Sequence, residues 1–298
     1  MLNIQVLGAG VMSSAFAHNQ ANYHNVHIFP TEYDHSVIKS IESKGKDVRF
    51  SVSWPSRLVV SSERLIDPDL LVIGVSSAGI DWALSEVARY SKSVPVLLLT
   101  KGIVIIAEDL IPIASYVASQ IPNPVSAISG PCIAQDLANG GRSYVALAGE
   151  MSESVCQMIQ NDCYDVSIVK DMESACWLGA LKNCYALAIA AFSSSENARA
   201  YWVTCALKEM QTFLSDRSGE ASMVTELSGI GDLMVTLAGG RNGQFGGYLQ
   251  QGMKPNDILN GPMKGKTVEG LMLIKLLAKQ DVAQQYPMLD KLWILLSS

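Results

Sequence analysis

The sequence predicts an α/β chain in two parts, a mainly parallel sheet with crossover helices over residues 1–170 and an all-helical part over residues 171–298. Three observations carry this. Short apolar runs bounded by turn residues alternate with helical patterns through the first half, as βαβ units require. After Asp171 the pattern changes: an apolar segment runs to Phe192 with Gly179 as its only turn residue, and helix then follows helix. A chain of 298 residues also exceeds what one hydrophobic core usually serves.

The first strand is Asn3–Leu7, followed at once by Gly8-Ala9-Gly10 and a helix from Val11 to about Ala21. Further strands are expected at Val26–Phe29, Leu58–Val60, Leu70–Val75, Val94–Leu99, Val125–Ser129, Tyr144–Ala148 and Tyr164–Val169. Helical patterns at Ile80–Tyr90 and Ala107–Gln120 separate several of them, which implies parallel crossovers.

Hydrophobic residues make up 49% of the chain and charged ones 17%, a balance that fits a compact enzyme and excludes a disordered protein. The net charge of -6 argues against a nucleic-acid partner, so an anionic ligand must be met by a few local cations and helix amino-termini. The six cysteines lack the spacing of a zinc site or a redox CxxC; they read as reduced, mostly buried thiols, and no metal is expected. No leader-like segment opens the sequence and no apolar run reaches the roughly 20 residues that span a bilayer. A cytoplasmic protein without a membrane span is the expectation.

The glycine turn is the first feature with chemistry in it. Gly8 lets the chain leave the strand sharply, and Gly10 lets backbone approach a pyrophosphate at the amino-terminus of the next helix. The run reads G-x-G-x-x-S, with Val11 and Met12 leading to Ser13 in place of a third glycine. A strand–helix turn of this kind also serves purely structural ends. Glu32, shortly after the second strand, is the candidate for the ribose 2′-hydroxyl; with no arginine beside it, NAD is favoured, while a solvated loop residue is the bland alternative.

Lys101 in Thr100-Lys101-Gly102 and Gly130 in Ser129-Gly130-Pro131 follow strands directly, where open α/β sheets bind ligands. Both positions also suit an ordinary strand end. Lys182 is the sharpest residue: apolar side chains surround it in Trp177–Leu187, so desolvation is expected to lower its pKa and fit it for proton transfer to a carbonyl oxygen. The alternative is a lysine that snorkels to the surface. Asn183 adjoins it. Asp232 in Gly229-Ile230-Gly231-Asp232-Leu233 is an acid suited to hold a lysine, and Thr236, Arg241 and Asn242 follow, with the arginine offering a fork of donors to phosphate.

The blocks Gly8-Ala9-Gly10, Thr100-Lys101-Gly102, Ser129-Gly130-Pro131, Ala180-Leu181-Lys182-Asn183, Gly229–Leu233, Arg241-Asn242 and Glu269-Gly270 occur in that order. Over nearly the whole chain this series resembles the NAD(P)-dependent glycerol-3-phosphate dehydrogenase family. The resemblance implies a Rossmann-type domain, a helical domain like that of 6-phosphogluconate dehydrogenase, and NAD as cofactor with NADP left open. It also implies interconversion of dihydroxyacetone phosphate and sn-glycerol 3-phosphate, supplying phospholipid synthesis, in a homodimer by analogy.

By position the resemblance makes Lys182 the proton-transferring lysine, with Lys101 and Asp232 in the catalytic group. Gly130, Cys132, Asn183, Thr236, Arg241 and Asn242 match substrate-binding positions, shared with Lys101. Gly8, Gly10, Val11, Met12, Ser13, Glu32, Ala134 and Glu269 match the cofactor side, to which Lys101 and Arg241 also belong.

The departures from the family are equally specific. Val11-Met12-Ser13 stands where an aromatic residue and glycine are usual, Pro30-Thr31 where a basic residue is common, Cys132 where a hydroxyl or small residue is usual, and Gly240 where serine precedes Arg-Asn. The segment between Asp232 and Arg241 is shortened. Two alternatives therefore stand beside the main reading. One is a related reductase of another small keto acid or imine, since Gly-Ala-Gly-Val-Met also resembles the opening of pyrroline-5-carboxylate reductase. The other is a non-catalytic dinucleotide sensor, which retention of Lys101, Lys182 and Asp232 argues against.

Overall fold

The computed structural model describes residues 1–50 and 52–297. The chain divides into two compact units, Met1–Val104 with Leu110–Cys176, and Ile105–Asp109 with the residues from Trp177 onward.

The first unit is built on an eight-stranded sheet. In chain order its elements are β1 (Asn3–Leu7), α1 (Val11–Gln20), β2 (Asn25–Phe29), α2 (His35–Lys44), β3 (Leu58–Val60), β4 (Leu70–Ile73), α3 (Ile80–Val87) and β5 (Val96–Leu98). A hairpin of β6 (Ile103–Ile106) and β7 (Asp109–Pro112) follows. Then come α4 (Ile113–Gln120), β8 (Val125–Ser129), α5 (Ala134–Ala138), β9 (Ser143–Gly149), α6 (Ser152–Ile159) and β10 (Tyr164–Ile168).

The strand order is β10-β9-β8-β5-β4-β1-β2-β3, with β9 antiparallel to β8 and the other pairs parallel. The expected mainly parallel sheet is thus present. Strand direction of travel reverses at β1, between β2 and β4, so the turn after β1 lies at the switch point where such sheets bind ligands.

Two-residue alternation between two buried faces explains why the central strand β4 is apolar throughout. Leu70 and Val72 of β4 face the layer of α1, α5 and α6, while Leu71 and Ile73 face α3 and α4. Both faces are therefore core.

One expectation is overturned. Ala107–Gln120 was expected to be wholly helical, but helix begins only at Ile113, and residues 103–112 form the hairpin. Ala107 and Glu108 both take positive φ, 49° and 73°, which gives a tight turn whose twist matches paired strands. The β-branched run Ile103-Val104-Ile105-Ile106 favours strand over helix on the same grounds.

The second unit centres on α7 (Met172–Phe192), along which Leu178, Leu181, Cys184, Tyr185, Ala186, Leu187, Ala188 and Ile189 are fully buried. Around it run α8 (Glu196–Ser215), α9 (Asp232–Leu237), α10 (Arg241–Gln250), α11 (Pro255–Asn260), α12 (Glu269–Lys279) and α13 (Pro287–Ser297). Two glycines bring helices onto the backbone of α7. A Cβ at Gly246 in α10 would lie 2.3 Å from the Leu187 carbonyl oxygen, and one at Gly270 in α12 would lie 2.4 Å from that of Asn183.

The expectation that no apolar run is long enough to span a bilayer also needs correcting, because α7 has the length and composition. Of its most apolar window 83% is buried inside the protein, the mark of a core helix. The thiols are less enclosed than expected: Cys184 alone is fully buried, and the other five are half-buried, all unbridged.

Ser13, which replaces the third glycine of the turn, is fully buried, and its packing shifts the need for a glycine onto β4's end. A Cβ at Gly74 would come 2.2 Å from the Ser13 Cβ. Gly74→Ala is expected to destabilise the protein by about 1–3 kcal/mol. Adding Ser13→Gly is expected to restore most of the loss in urea unfolding, since the clashing atom is then gone.

Candidate active site

The glycine turn is shaped as a cradle. Gly8 has φ +95°, where a side chain is strained, and a Cβ there would also press on Val75 at 2.7 Å. Gly10 is the N-cap of α1, which carries no capping side chain and no acid in its first turn. The leading N–H groups of α1 are thus left to meet an anion, and the residues present fit a dinucleotide pyrophosphate. Val11 is exposed and Met12 half-buried at this edge.

Two residues that sequence reasoning passed over hold the turn. The Asp34 carboxylate accepts from the Ala9 N–H at 3.0 Å, and Arg49 donates to the Ala9 carbonyl at 3.0 Å and the Ser14 hydroxyl at 2.9 Å. Asp34 closes a Thr31-x-x-Asp34 capping box, a signal present in the sequence. Arg49 reaches back across 40 residues, which no local pattern discloses. Glu32 is exposed in the short helical turn Glu32–Asp34 and does not bond the glycine turn.

Adjacent strands β5 and β8 bring Lys101 and Gly130 together, with the Lys101 ammonium donating to the Gly130 carbonyl at 3.1 Å. Gly130 has φ +92°. Cys132 is half-buried, its Sγ 3.6 Å from the Ser143 hydroxyl and 3.9 Å from Met12 Sδ, so it packs beside the first turn of α1. Ala134 opens α5, which packs on α1.

In the second unit Lys182 and Asp232 form an ion pair, with side-chain exposures of 12% and 3%. Lys182 is therefore held inward and does not snorkel to the surface. Asp232 follows a π-helical turn, Leu227–Gly231, whose widened backbone packs so closely that a Cβ at Gly229 would lie 2.2 Å from the Val224 carbonyl oxygen. Thr236 turns its hydroxyl back onto the Asp232 carbonyl at 2.7 Å.

Beside this pair lies a chain of amides. Asn242 Nδ2 donates to Asn183 Oδ1 at 2.8 Å, Asn183 Nδ2 donates to Glu269 at 3.1 Å, and the Gly270 N–H donates to Asn242 Oδ1 at 2.9 Å. Both asparagines are buried, and each amide nitrogen keeps one N–H beyond these bonds. Arg241 opens α10 with its guanidinium half-exposed, 3.8 Å from the Glu269 carboxylate.

Gly240, the N-cap of α10, has a reason for lacking a side chain, because a Cβ there would sit 2.5 Å from the Thr236 carbonyl oxygen. Among the described residues no group of His, Cys, Asp and Glu is placed to hold a metal ion.

The arrangement can pair a proton-bearing ammonium with an anion site made of Arg241, two amides and a helix amino-terminus. Asp232→Ala strands the ammonium in a buried place and is expected to lower unfolding free energy by about 3–5 kcal/mol in urea. The double change Lys182→Met with Asp232→Leu is expected to cost far less, because no unpaired charge remains.

Residues 3–155 match the NAD-dependent glycerol-3-phosphate dehydrogenase N-terminus, and residues 171–297 match the C-terminus of the same family. An NADP(+)-dependent glycerol-3-phosphate dehydrogenase of Archaeoglobus fulgidus is 27% identical over 278 residues, covering 86% of this chain and 82% of its own. A glycerol-3-phosphate dehydrogenase [NAD(P)+] of Acinetobacter baumannii is 28% identical over 287 residues, covering 92% and 79%. The crystal structure of glycerol-3-phosphate dehydrogenase from Coxiella burnetii shares the fold with a TM-score of 0.85 at 24% identity, over 99% of this chain and 94% of that one. With both halves matched in order, the chain belongs to the NAD-dependent glycerol-3-phosphate dehydrogenase family, whose members are NAD(P)-dependent oxidoreductases.

Proposed function

We propose that this chain interconverts dihydroxyacetone phosphate and sn-glycerol 3-phosphate with NAD(P)(H), and that Lys182 moves the proton. The observation that carries the reading is the buried Lys182–Asp232 pair, one residue along the helix from the amide chain that adjoins Arg241. Bound nicotinamide supplies a hydride to the substrate carbon, or takes one from it.

Lys182 Nζ donates a proton to the carbonyl oxygen, which becomes the hydroxyl of the product; in the other direction Nζ receives it. Asp232 holds the Lys182 Nζ in place through their ion pair. Arg241, the uncommitted N–H groups of Asn183 and Asn242, and the amino-terminus of α10 bind the phosphate, with Thr236 alongside. By family position Lys101, Gly130 and Cys132 are assigned to the substrate, and Ala134 and Glu269 to the cofactor. The glycerol phosphate so formed serves phospholipid synthesis, and the chain works in the cytoplasm as a homodimer.

Purified protein is expected to oxidise NADH or NADPH on addition of dihydroxyacetone phosphate, followed at the nicotinamide absorbance. Lys182→Ala is expected to reduce kcat by about 10²–10⁴-fold while leaving dinucleotide binding intact. Absence of turnover with either dinucleotide, in protein shown to be folded, overturns the reading; undiminished turnover in Lys182→Ala removes the lysine from its role.

A further inference from the structure

Asp34 is the acid that the fold brings to the glycine turn, 25 residues beyond Ala9. One carboxylate oxygen, Oδ2, accepts three hydrogen bonds: from the Ala9 N–H at 3.0 Å, the Thr31 N–H at 2.8 Å and the Thr31 hydroxyl at 2.8 Å. These bonds fix the group against the middle residue of the turn and leave Oδ1 to accept from a ligand. In dinucleotide-binding folds an acid after the second strand accepts from the ribose hydroxyls, while a nearby arginine is what accommodates a 2′-phosphate.

The arginine that bonds this turn, Arg49, is paired with an acid of its own. Arg49 Nε donates to both oxygens of Asp47, at 2.9 Å and 3.0 Å, and its Nη2 bonds Asp47, the Ala9 carbonyl and the Ser14 hydroxyl. Asp47 is buried, so the pair is locally neutral and acts as a brace on the turn. What remains at the turn is the negative charge of Asp34. Glu32, two residues earlier, is exposed and bonds nothing there.

We infer that Asp34, held on the Ala9 N–H, selects the dinucleotide without a 2′-phosphate, so that this chain uses NAD(H) in preference to NADP(H). The inference rests on the dinucleotide-binding reading of the turn. A carboxylate there accepts the ribose hydroxyls, and it meets a 2′-phosphate with like charge.

The test is equilibrium binding of NADH and NADPH to the whole protein, read by nicotinamide fluorescence without substrate. The wild type is expected to bind NADH at least tenfold more tightly than NADPH. Asp34→Asn keeps an acceptor for the Ala9 N–H but removes the charge, and is expected to shrink the ratio severalfold by strengthening NADPH binding. Glu32→Gln is expected to leave the ratio unchanged.

Arg49→Met is expected to weaken both dinucleotides alike, as loss of a brace does. Equal or tighter binding of NADPH by the wild type, an unchanged ratio in Asp34→Asn, a ratio that moves with Glu32→Gln, or selective loss of NADPH in Arg49→Met each overturns the inference. In those cases a dinucleotide still binds, and the function proposed above stands. Failure of folded wild-type protein to bind either dinucleotide removes both.

Discussion

A lysine ammonium placed inside an apolar helix is the constraint around which the second unit is organised. Removing two charges from water costs several kcal/mol per ion before their attraction is counted, so a buried pair persists only where partner and geometry are supplied. Asp232 is the partner of Lys182, and it stands at the end of a π-helical turn rather than in a regular helix. A π turn adds a residue to the helical circuit and redirects the side chain that follows. Gly229 is what allows it, since its α-carbon packs against the Val224 backbone with no room for a methyl group.

The same economy of small residues shapes the neighbouring amides. Because Gly270 has no side chain, α12 comes close enough for its N–H to reach Asn242 while the Glu269 carboxylate takes the Asn183 amide. Gly246 lets α10 lie on the backbone of α7. Three helices are thus tied at one level beside Lys182, with fixed amides where a flexible side chain would lose orientation entropy on binding. Arg241 stays half-exposed at this level, which suits a group that must exchange water for an anion.

Much of this was legible in the sequence, and the exceptions have physical causes. Asn3–Leu7 and Val125–Ser129 were located to the residue, because burial on both faces of a central strand gives a continuous signal. That Asp232 could hold a lysine was suggested by its apolar, glycine-bearing setting, and its grouping with Lys182 came from the family resemblance. The turn of the hairpin at residues 103–112 was not legible, because positive φ at Ala107 and Glu108 leaves no trace in residue type, although the β-branched run before it favours strand. Nor was the anchoring of the turn by Asp34 and Arg49. Position after the second strand singled out Glu32, and only the capping box at Thr31 turns the later acid inward. Gly74 shows the same limit: its need for a missing Cβ is set by Ser13 on another element.

The account turns on Lys182 as the group that meets the reacting oxygen. The most direct measurement is a crystal structure of the protein with NAD and sn-glycerol 3-phosphate bound. The account predicts Lys182 Nζ within about 2.6–3.2 Å of the substrate's secondary hydroxyl, with Asp232 still on the ammonium. A secondary hydroxyl facing another side chain, with Lys182 engaged by Asp232 alone, would contradict it.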